Sequence, residues 1–185
     1  MSKIFLTSDL HFGHDKEFIW KARGYDSVDD MNLSQVIKYN QTITDDDIVY
    51  ILGDCIMGED RKSQLQRLFS LPGRKHLIIG NHDTDGKIAD YQKLNIFESV
   101  QMAHRLRYRK KEFILSHYPT IVTNGDDPKP VFNLHGHTHS PDRFELFQYH
   151  CYNVGVDAHN GYPILLDDIV EDIYNKLNEK EKENG

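Results

Sequence analysis

The sequence has only two cysteines in 185 residues, Cys55 and Cys151. They are far apart and lack the CxxC spacing of structural zinc sites and thiol redox motifs. A chain of this length can bury a sizeable core without crosslinks, so nothing requires a disulfide. We expect both cysteines to be reduced and buried, because free cysteine is among the residues most often found inside proteins.

Long hydrophobic runs are also missing. No segment approaches the roughly 20 apolar residues that a membrane-spanning helix needs. The apolar stretch at residues 4–6 is short and is soon followed by Asp9, which argues against a signal peptide. These absences predict a cytoplasmic protein with no membrane partner.

The sequence has fewer positive than negative side chains. The chain has 22 Lys and Arg residues against 29 Asp and Glu, a net charge of −7, so the whole molecule does not attract polyanions. An anionic substrate would need a local positive centre, which bound metal ions could supply. The composition is that of an ordinary globular protein, and without a linker or repeat we expect one domain over residues 1–185.

Metal-binding side chains end five short apolar runs. A strand buried on both faces is an apolar run, and polar residues after it lie at its carboxyl end. Open α/β sheets gather their chemistry along that edge, so five such ends predict one site. The five segments are Asp9-x-His11, Gly53-Asp54, Gly80-Asn81-His82-Asp83, Ser116-His117 and Gly136-His137-Thr138-His139.

Residue spacing and type within these segments suit metal binding. Asp9 and His11 are two residues apart, so on an extended chain both side chains leave the same face. His137 and His139 repeat that spacing, but across a tight turn they could face different metals. Imidazole, carboxylate and one amide oxygen together favour divalent transition metals over calcium or magnesium. We interpret the set as a two-metal hydrolase site.

The first half of the chain alternates predicted strands, at residues 3–8, 48–52 and 76–79, with predicted helices. Ser27 and Asp60 are favourable N-cap residues for two of these helices, and Asp15 could cap a shorter one. The alternation predicts βαβ units and a partly parallel sheet.

The second half is rich in short strands. These are predicted at residues 105–108, 112–115, 131–135, 143–147 and 152–156. With a turn at 124–128, they predict a second, mostly antiparallel sheet. A final helix is predicted from Asp167, burying Ile169, Ile173 and Leu177 along one face.

The order of the five motif segments resembles the signature of the calcineurin-like metallophosphoesterase superfamily. The resemblance runs from residue 9 to residue 139 and misses no motif. It implies an α/β fold of the α+β kind, a four-layer αββα sandwich of two mixed β-sheets flanked by helices. It also implies an enzyme that hydrolyses phosphoric esters with metal ions.

The same resemblance implies a role for each candidate ligand. The ligands of one ion would be Asp9, His11 and His139, and those of the other Asn81, His117 and His137. The Asp54 carboxylate would bridge the two ions about 3.5–4 Å apart, and a hydroxide between them would attack phosphorus in line. Two divalent ions are expected, with Mn²⁺ first and Fe, Zn, Ni or Co as alternatives.

His82 is the implied catalytic residue, contacting the phosphate and assisting the leaving group. Asp83 could hydrogen-bond the His82 ring and orient it, or could be an ordinary carboxylate at a helix N-terminus. Met57 stands where purple acid phosphatases carry a tyrosine ligand, and residues 55–57 depart from the pattern of Ser/Thr protein phosphatases. The expected substrate is a small phosphodiester or nucleotide-like molecule in an open cleft, rather than a phosphoprotein.

Two alternatives stay open: a scaffold of the same fold with little turnover, and a nucleic-acid-binding protein with structural metals. Residues 105–111 alternate basic and apolar side chains, which could steer nucleic acid or protect an edge strand from pairing. The negative net charge favours the edge strand. We expect supporting or surface roles for His14, His135 and His159. Residues 153–157 are expected to pack against the final helix. The sequence leaves the oligomeric state open.

Overall fold

The computed structural model describes residues 2–122 and 130–183, so the turn predicted at 124–128 lies outside the described residues. The strands are β1 (Ile4–Thr7), β2 (Ile48–Ile51), β3 (Arg74–Ile78), β4 (Ser99–Gln101), β5 (Ala103–Tyr108), β6 (Lys111–Ser116), β7 (Phe132–His135), β8 (Cys151–Asn153) and β9 (Ile164–Leu165). The α-helices are α1 (Glu17–Trp20), α2 (Val28–Thr42), α3 (Arg61–Ser70), α4 (Asp85–Lys93) and α5 (Leu166–Glu183).

Two mixed β-sheets with flanking helices form the fold, which confirms the predicted class. The first sheet has the strand order β4-β3-β2-β1-β9, in which β1 to β4 are parallel and β9 is antiparallel to β1. The parallel part arises because helices connect successive strands, as the alternating pattern predicts.

The second sheet has the order β5-β6-β7-β8 and is not mostly antiparallel. Only the β5–β6 hairpin is antiparallel, whereas β6–β7 and β7–β8 are parallel pairs. The prediction was wrong because β7 runs parallel to β6 and β8 runs parallel to β7. The strand predicted at 143–147 is also wrong: this segment belongs to the β7–β8 crossover and ends in a short 3₁₀ helix, Phe147–Tyr149.

Two apolar clusters fill the fold. One joins the first sheet to α2, α3 and α4 through buried residues such as Tyr39, Leu68 and Tyr91. The other joins both sheets and α5, and includes the fully buried Ile169 and Ile173. With Leu177 partly buried in the same cluster, the predicted face of the last helix is confirmed.

Capping side chains mark the starts of two helices, α2 and α3. Ser27 accepts a hydrogen bond from the Asp30 N–H, and Asp60 accepts one from the Ser63 N–H, each at 3.1 Å. Helix α1 starts after Lys16, so Asp15 does not cap it. Both cysteines are free and buried, as predicted. Among the described residues, no helix combines the length and hydropathy that crossing a bilayer requires.

Candidate metal centre

All seven predicted ligands lie together at the carboxyl ends of five strands. Asp9 and His11 follow β1, Asp54 follows β2, and Asn81 follows β3. His117 follows β6 of the second sheet, and His137 and His139 follow β7. The site therefore lies where the carboxyl ends of parallel strands from both sheets meet.

One group of donor atoms combines Asp9, His11 and His139. The two Nε2 atoms of His11 and His139 are 3.2 Å apart, and Asp9 Oδ1 lies 3.9 Å from His11 Nε2. The ligand atoms of the three residues all lie within 4.8 Å of one another. This spacing suits binding of a single ion.

A second group combines Asn81, His117 and His137. The Asn81 amide oxygen is 2.8 Å from His117 Nε2 and 3.1 Å from His137 Nδ1. The two imidazole nitrogens are 3.2 Å apart. His137 and His139 thus face different groups of side chains.

Asp54 stands between the two groups. Its Oδ2 atom lies 3.6 Å from His11 Nε2 in the first group and 3.6 Å from His117 Nε2 in the second. Its Oδ1 atom accepts a hydrogen bond from the His82 backbone N–H at 2.8 Å. The carboxylate is therefore held within reach of both groups.

Left-handed backbone conformations aim these side chains into the site. The φ angles of Asp9, His11, Asp54, His137 and His139 are all between 50° and 70°. Asp and His are among the non-glycine residues that tolerate this conformation best. Hydrogen bonds between neighbouring segments hold it, since the Asp9 N–H donates to Gly53 O at 3.1 Å and the His11 N–H to Asp54 O at 2.9 Å.

Close approach of segments makes glycine necessary at position 136. A Cβ there would collide with the side chains of Ser8 and Asp9. Without it, the His137 N–H reaches Asp9 Oδ2 at 2.9 Å and ties the β7 loop to the β1 loop.

Hydrogen bonds set the orientation of two imidazoles. His117 Nδ1 lies 2.7 Å from the Leu52 carbonyl oxygen, and His139 Nδ1 lies 2.9 Å from Asp157 Oδ2. Because a carbonyl and a carboxylate can only accept, each Nδ1 carries the proton and each Nε2 presents a lone pair to the site. This arrangement is typical of histidines that bind metal.

The electrostatics of the first group suit a divalent cation. Among the described residues, Asp9 Oδ1, which faces His11 Nε2 in this group, is buried without a hydrogen-bond partner. Burial raises the pKa of Asp9 and lowers the pKa of His11 well below its usual value. A neutral imidazole and a buried carboxylate short of positive charge are what a divalent cation would stabilise.

His82 lies beside this centre and is accessible. Its Nε2 atom is 4.0 Å from Asp54 Oδ2, and 41% of its side chain is exposed. It stands next to the His11 ring, with 5.5 Å between the ring centroids. The ring can therefore meet a substrate that approaches Asp54 from solvent.

Asp83 does not orient the His82 ring, so that expectation is wrong. Its carboxylate accepts hydrogen bonds from the N–H groups of Asp54, Cys55 and Gly80 and from the Tyr91 hydroxyl. It is not an N-terminal carboxylate of α4 either, because that helix begins at Asp85. The buried turn gives these N–H groups no backbone acceptor, and the Asp83 carboxylate oxygens accept their hydrogen bonds instead.

Arg23 and Asp157 are supporting residues that sequence reasoning missed. The Arg23 guanidinium binds both Asp157 oxygens, at 2.9 and 2.8 Å, and donates to the Asp9 carbonyl at 2.9 Å. Asp157 in turn binds His139, and this bond raises the histidine pKa. Residues 153–157 therefore do more than pack against the final helix. In the sequence, the position of Asp157 shortly after a short strand is a weak signal of a site residue. Arg23 lies beside no motif and has no such signal.

Asp157→Asn should weaken metal binding by about 10–100-fold, the usual effect of losing a partner behind a histidine ligand. The amide cannot hold the His139 tautomer through a charged hydrogen bond. Metal titration of the chelator-treated protein by calorimetry measures the change, and thermal unfolding without metal checks that the variant is folded. Asp168→Asn, at an exposed position in α5, is the control. Equal metal affinity in Asp157→Asn and the wild type would contradict this role.

The other histidines and the basic strand lie around the centre or away from it. The His14 ring is 5.2 Å from the His11 ring. His135 contacts the Gly136 carbonyl and His159 the Asn153 carbonyl, so both support the backbone.

The basic strand β5 is an edge strand, and its arginines are paired. Arg105 and Arg107 contact Glu112, and Arg109 contacts Asp167. These pairs favour the edge-strand interpretation over a surface for nucleic acid.

Comparison with known proteins identifies the family. The family model for calcineurin-like phosphoesterases matches residues 2–184. The chain is 32% identical to the uncharacterized protein MJ1445 of Methanocaldococcus jannaschii over 178 residues, covering 92% of this chain and 91% of that protein. It is 31% identical to the gene 66 protein of Mycobacterium phage L5 over 213 residues, covering 98% of each.

A solved structure shares the fold. AQ665 of Aquifex aeolicus, a protein of unknown function, superposes with a TM-score of 0.71 at 23% identity, covering 92% of this chain and 99% of that one. Together with the family match and the sequence relatives, the arrangement of strand-end ligands leads to one conclusion. The chain belongs to the calcineurin-like phosphoesterase family.

Proposed function

We propose that this protein is a phosphoesterase that uses two divalent metal ions, with Mn²⁺ as the first choice, and acts on a phosphodiester or nucleotide-like substrate. One observation carries the proposal: a single oxygen of Asp54 lies 3.6 Å from an imidazole nitrogen of each ligand group. A carboxylate between two sets of ligand atoms is the arrangement that holds paired cations.

Seven residues would bind the metal ions, and an eighth would transfer a proton. The ligands of one ion are Asp9, His11 and His139, those of the other are Asn81, His117 and His137, and Asp54 is shared. Ions held there would neutralise phosphate charge and make water acidic enough to attack near neutral pH. His82 protonates the departing oxygen, since it is the exposed imidazole beside the bridging carboxylate.

An accessible centre favours small esters with two substituents. His139 and His82 keep 34% and 41% of their side chains exposed, so a substrate can extend from the phosphate in more than one direction. A scaffold without turnover would have no need for an exposed imidazole at this place. The paired arginines of β5 argue against an electrostatic track for nucleic acid.

Metal removal is the direct test of this function. The protein is stripped with a chelator and assayed on phosphate monoesters and diesters, including cyclic nucleotides, with several divalent metals. We expect no hydrolysis after stripping, recovery with Mn²⁺, diesters hydrolysed faster than phosphopeptides, and two ions per chain. Undiminished hydrolysis after stripping would refute the metal-dependent mechanism.

A metal content that saturates at one ion per chain would refute the dinuclear site. Failure of every ester with every metal would favour the scaffold. These outcomes are separate, because metal content is measured on the protein itself by elemental analysis and does not depend on the choice of substrate.

A further inference from the structure

A cavity of about 430 Å³ adjoins the candidate metal centre. Its lining includes Tyr25, Gln35 and Lys38 on one side, and His139 and Asp157 on the side of the metal centre. Its volume lies within the range of pockets that bind small molecules. Since His139 belongs to both, a ligand in the cavity could also reach the metal centre.

Gln35 is the unusual residue in this lining. It lies within α2 with 2% of its surface exposed. Neither its amide oxygen nor its amide nitrogen has a hydrogen-bond partner among the described residues. A buried amide without partners needs an explanation. Because the side chain lines the cavity, a ligand with an adjacent donor and acceptor would satisfy both atoms.

The rest of the cavity is fixed and partly aromatic. Lys38 Nζ donates to the Asn160 carbonyl at 2.7 Å and lies 3.2 Å from the Tyr25 hydroxyl. It also sits 5.6 Å from the Tyr25 ring centroid and 5.4 Å from that of Tyr162. These contacts hold the Tyr25 ring in place as a wall. An aromatic wall with a buried amide suits a flat, hydrogen-bonding ring.

We propose that this cavity binds the base of an adenine nucleotide whose phosphate lies at the metal centre. This rests on the proposed function, which it makes more specific. A glutamine amide matches adenine because it accepts from N6 and donates to N7. Guanine and hypoxanthine present two acceptors on the same edge, O6 and N7, and would leave the Gln35 oxygen facing another acceptor. For a purine that presents this edge to Gln35, the amide therefore selects adenine.

Nucleosides test the cavity without involving the metals. Adenosine and inosine share the ribose and differ at position 6 of the base, and neither carries a phosphate. Ligand-observed NMR titrations give the dissociation constant of each with the wild-type protein. We expect adenosine to bind about fivefold or more tightly than inosine, the lower end of the discrimination that a bidentate contact provides.

The variant Gln35→Leu should reduce the ratio of the two constants to about one. Because the wild-type amide has no partner in the described residues, the midpoint temperature of thermal unfolding should not be lower in the variant than in the wild type. Gln92→Leu, at an exposed position in α4, is the matched control and should keep the wild-type ratio. Equal binding of both nucleosides to the wild type, or an unchanged ratio in Gln35→Leu, would overturn the proposal.

The proposed base site and the proposed phosphoesterase activity are tested by separate measurements. Metal-dependent hydrolysis of bis(p-nitrophenyl) phosphate by the wild type reports on the proposed function alone. Hydrolysis without adenosine preference refutes the base site, whereas adenosine preference without hydrolysis supports the base site and counts against the enzyme. Competition of pyrophosphate with adenosine would show an anion site in the cavity and would also overturn the proposal.

Discussion

Replacing Asp54 by asparagine should remove one of the two metal ions and lower kcat/KM by roughly a thousandfold or more, since several kcal/mol of transition-state stabilisation depend on the paired ions. Asparagine keeps the size of the side chain and can still accept from the His82 N–H, a bond of 2.8 Å in the wild type. It has no charge, however, and only one of its two terminal atoms can bind a cation. The shared position between His11 and His117 is therefore lost.

Elemental analysis of the metal content and steady-state kinetics on the same preparation measure both effects. Asp46→Asn, at an exposed position in the turn before β2, controls for loss of one acidic charge. If Asp54→Asn still holds two ions per chain and turns over like the wild type, Asp54 is not the bridge and the proposed mechanism is wrong.

The second large effect is expected for His82→Ala. This variant should keep both ions, because the His82 ring belongs to neither ligand group, while hydrolysis falls by about 10²–10⁴-fold, the usual loss for a general acid. The loss should be larger for an alkyl ester than for a p-nitrophenyl ester, since p-nitrophenolate leaves readily without a proton. That difference separates proton donation from a role in binding or structure.

His150→Asn is a suitable control for this experiment. His150 precedes β8 at the opposite end of the parallel strands, and its φ of 58° suits asparagine. Loss of metal in His82→Ala would show a structural role instead. An equal loss on alkyl and p-nitrophenyl esters would argue against protonation of the leaving group.

The candidate site could be predicted because its ligands are local features of the sequence. Each lies just after an apolar run, and the carboxyl ends of parallel strands meet at one edge. Arg23 and Asp157 could not be found this way. Their function comes from a contact between residues 134 positions apart, and neither residue type is unusual on its own. The role of Asp83 was misjudged because adjacency in sequence does not fix the direction of a side chain.

Prediction of the fold from the sequence is limited in the same way, because long-range contacts decide part of it. Strand positions follow from hydrophobic runs, but the direction of β7 and β8 depends on how the chain crosses between them. The segment at 143–147 has apolar side chains that suit a strand, and yet Phe144 and Phe147 pack together in the crossover at a ring distance of 5.4 Å. Short strands such as β4 and β9, of three and two residues, are fixed by their neighbours and carry little signal of their own.

The left-handed conformation of five candidate ligands has a consequence for the evolution of the sequence. Each such residue costs the fold about 1–2 kcal/mol relative to glycine, which adopts this conformation without a penalty. Random drift at Asp9, His137 or His139 toward glycine would relieve that conformational penalty while destroying the centre. Persistence of Asp and His at these positions in a lineage would then signal selection for chemistry, since selection for folding alone would favour their replacement.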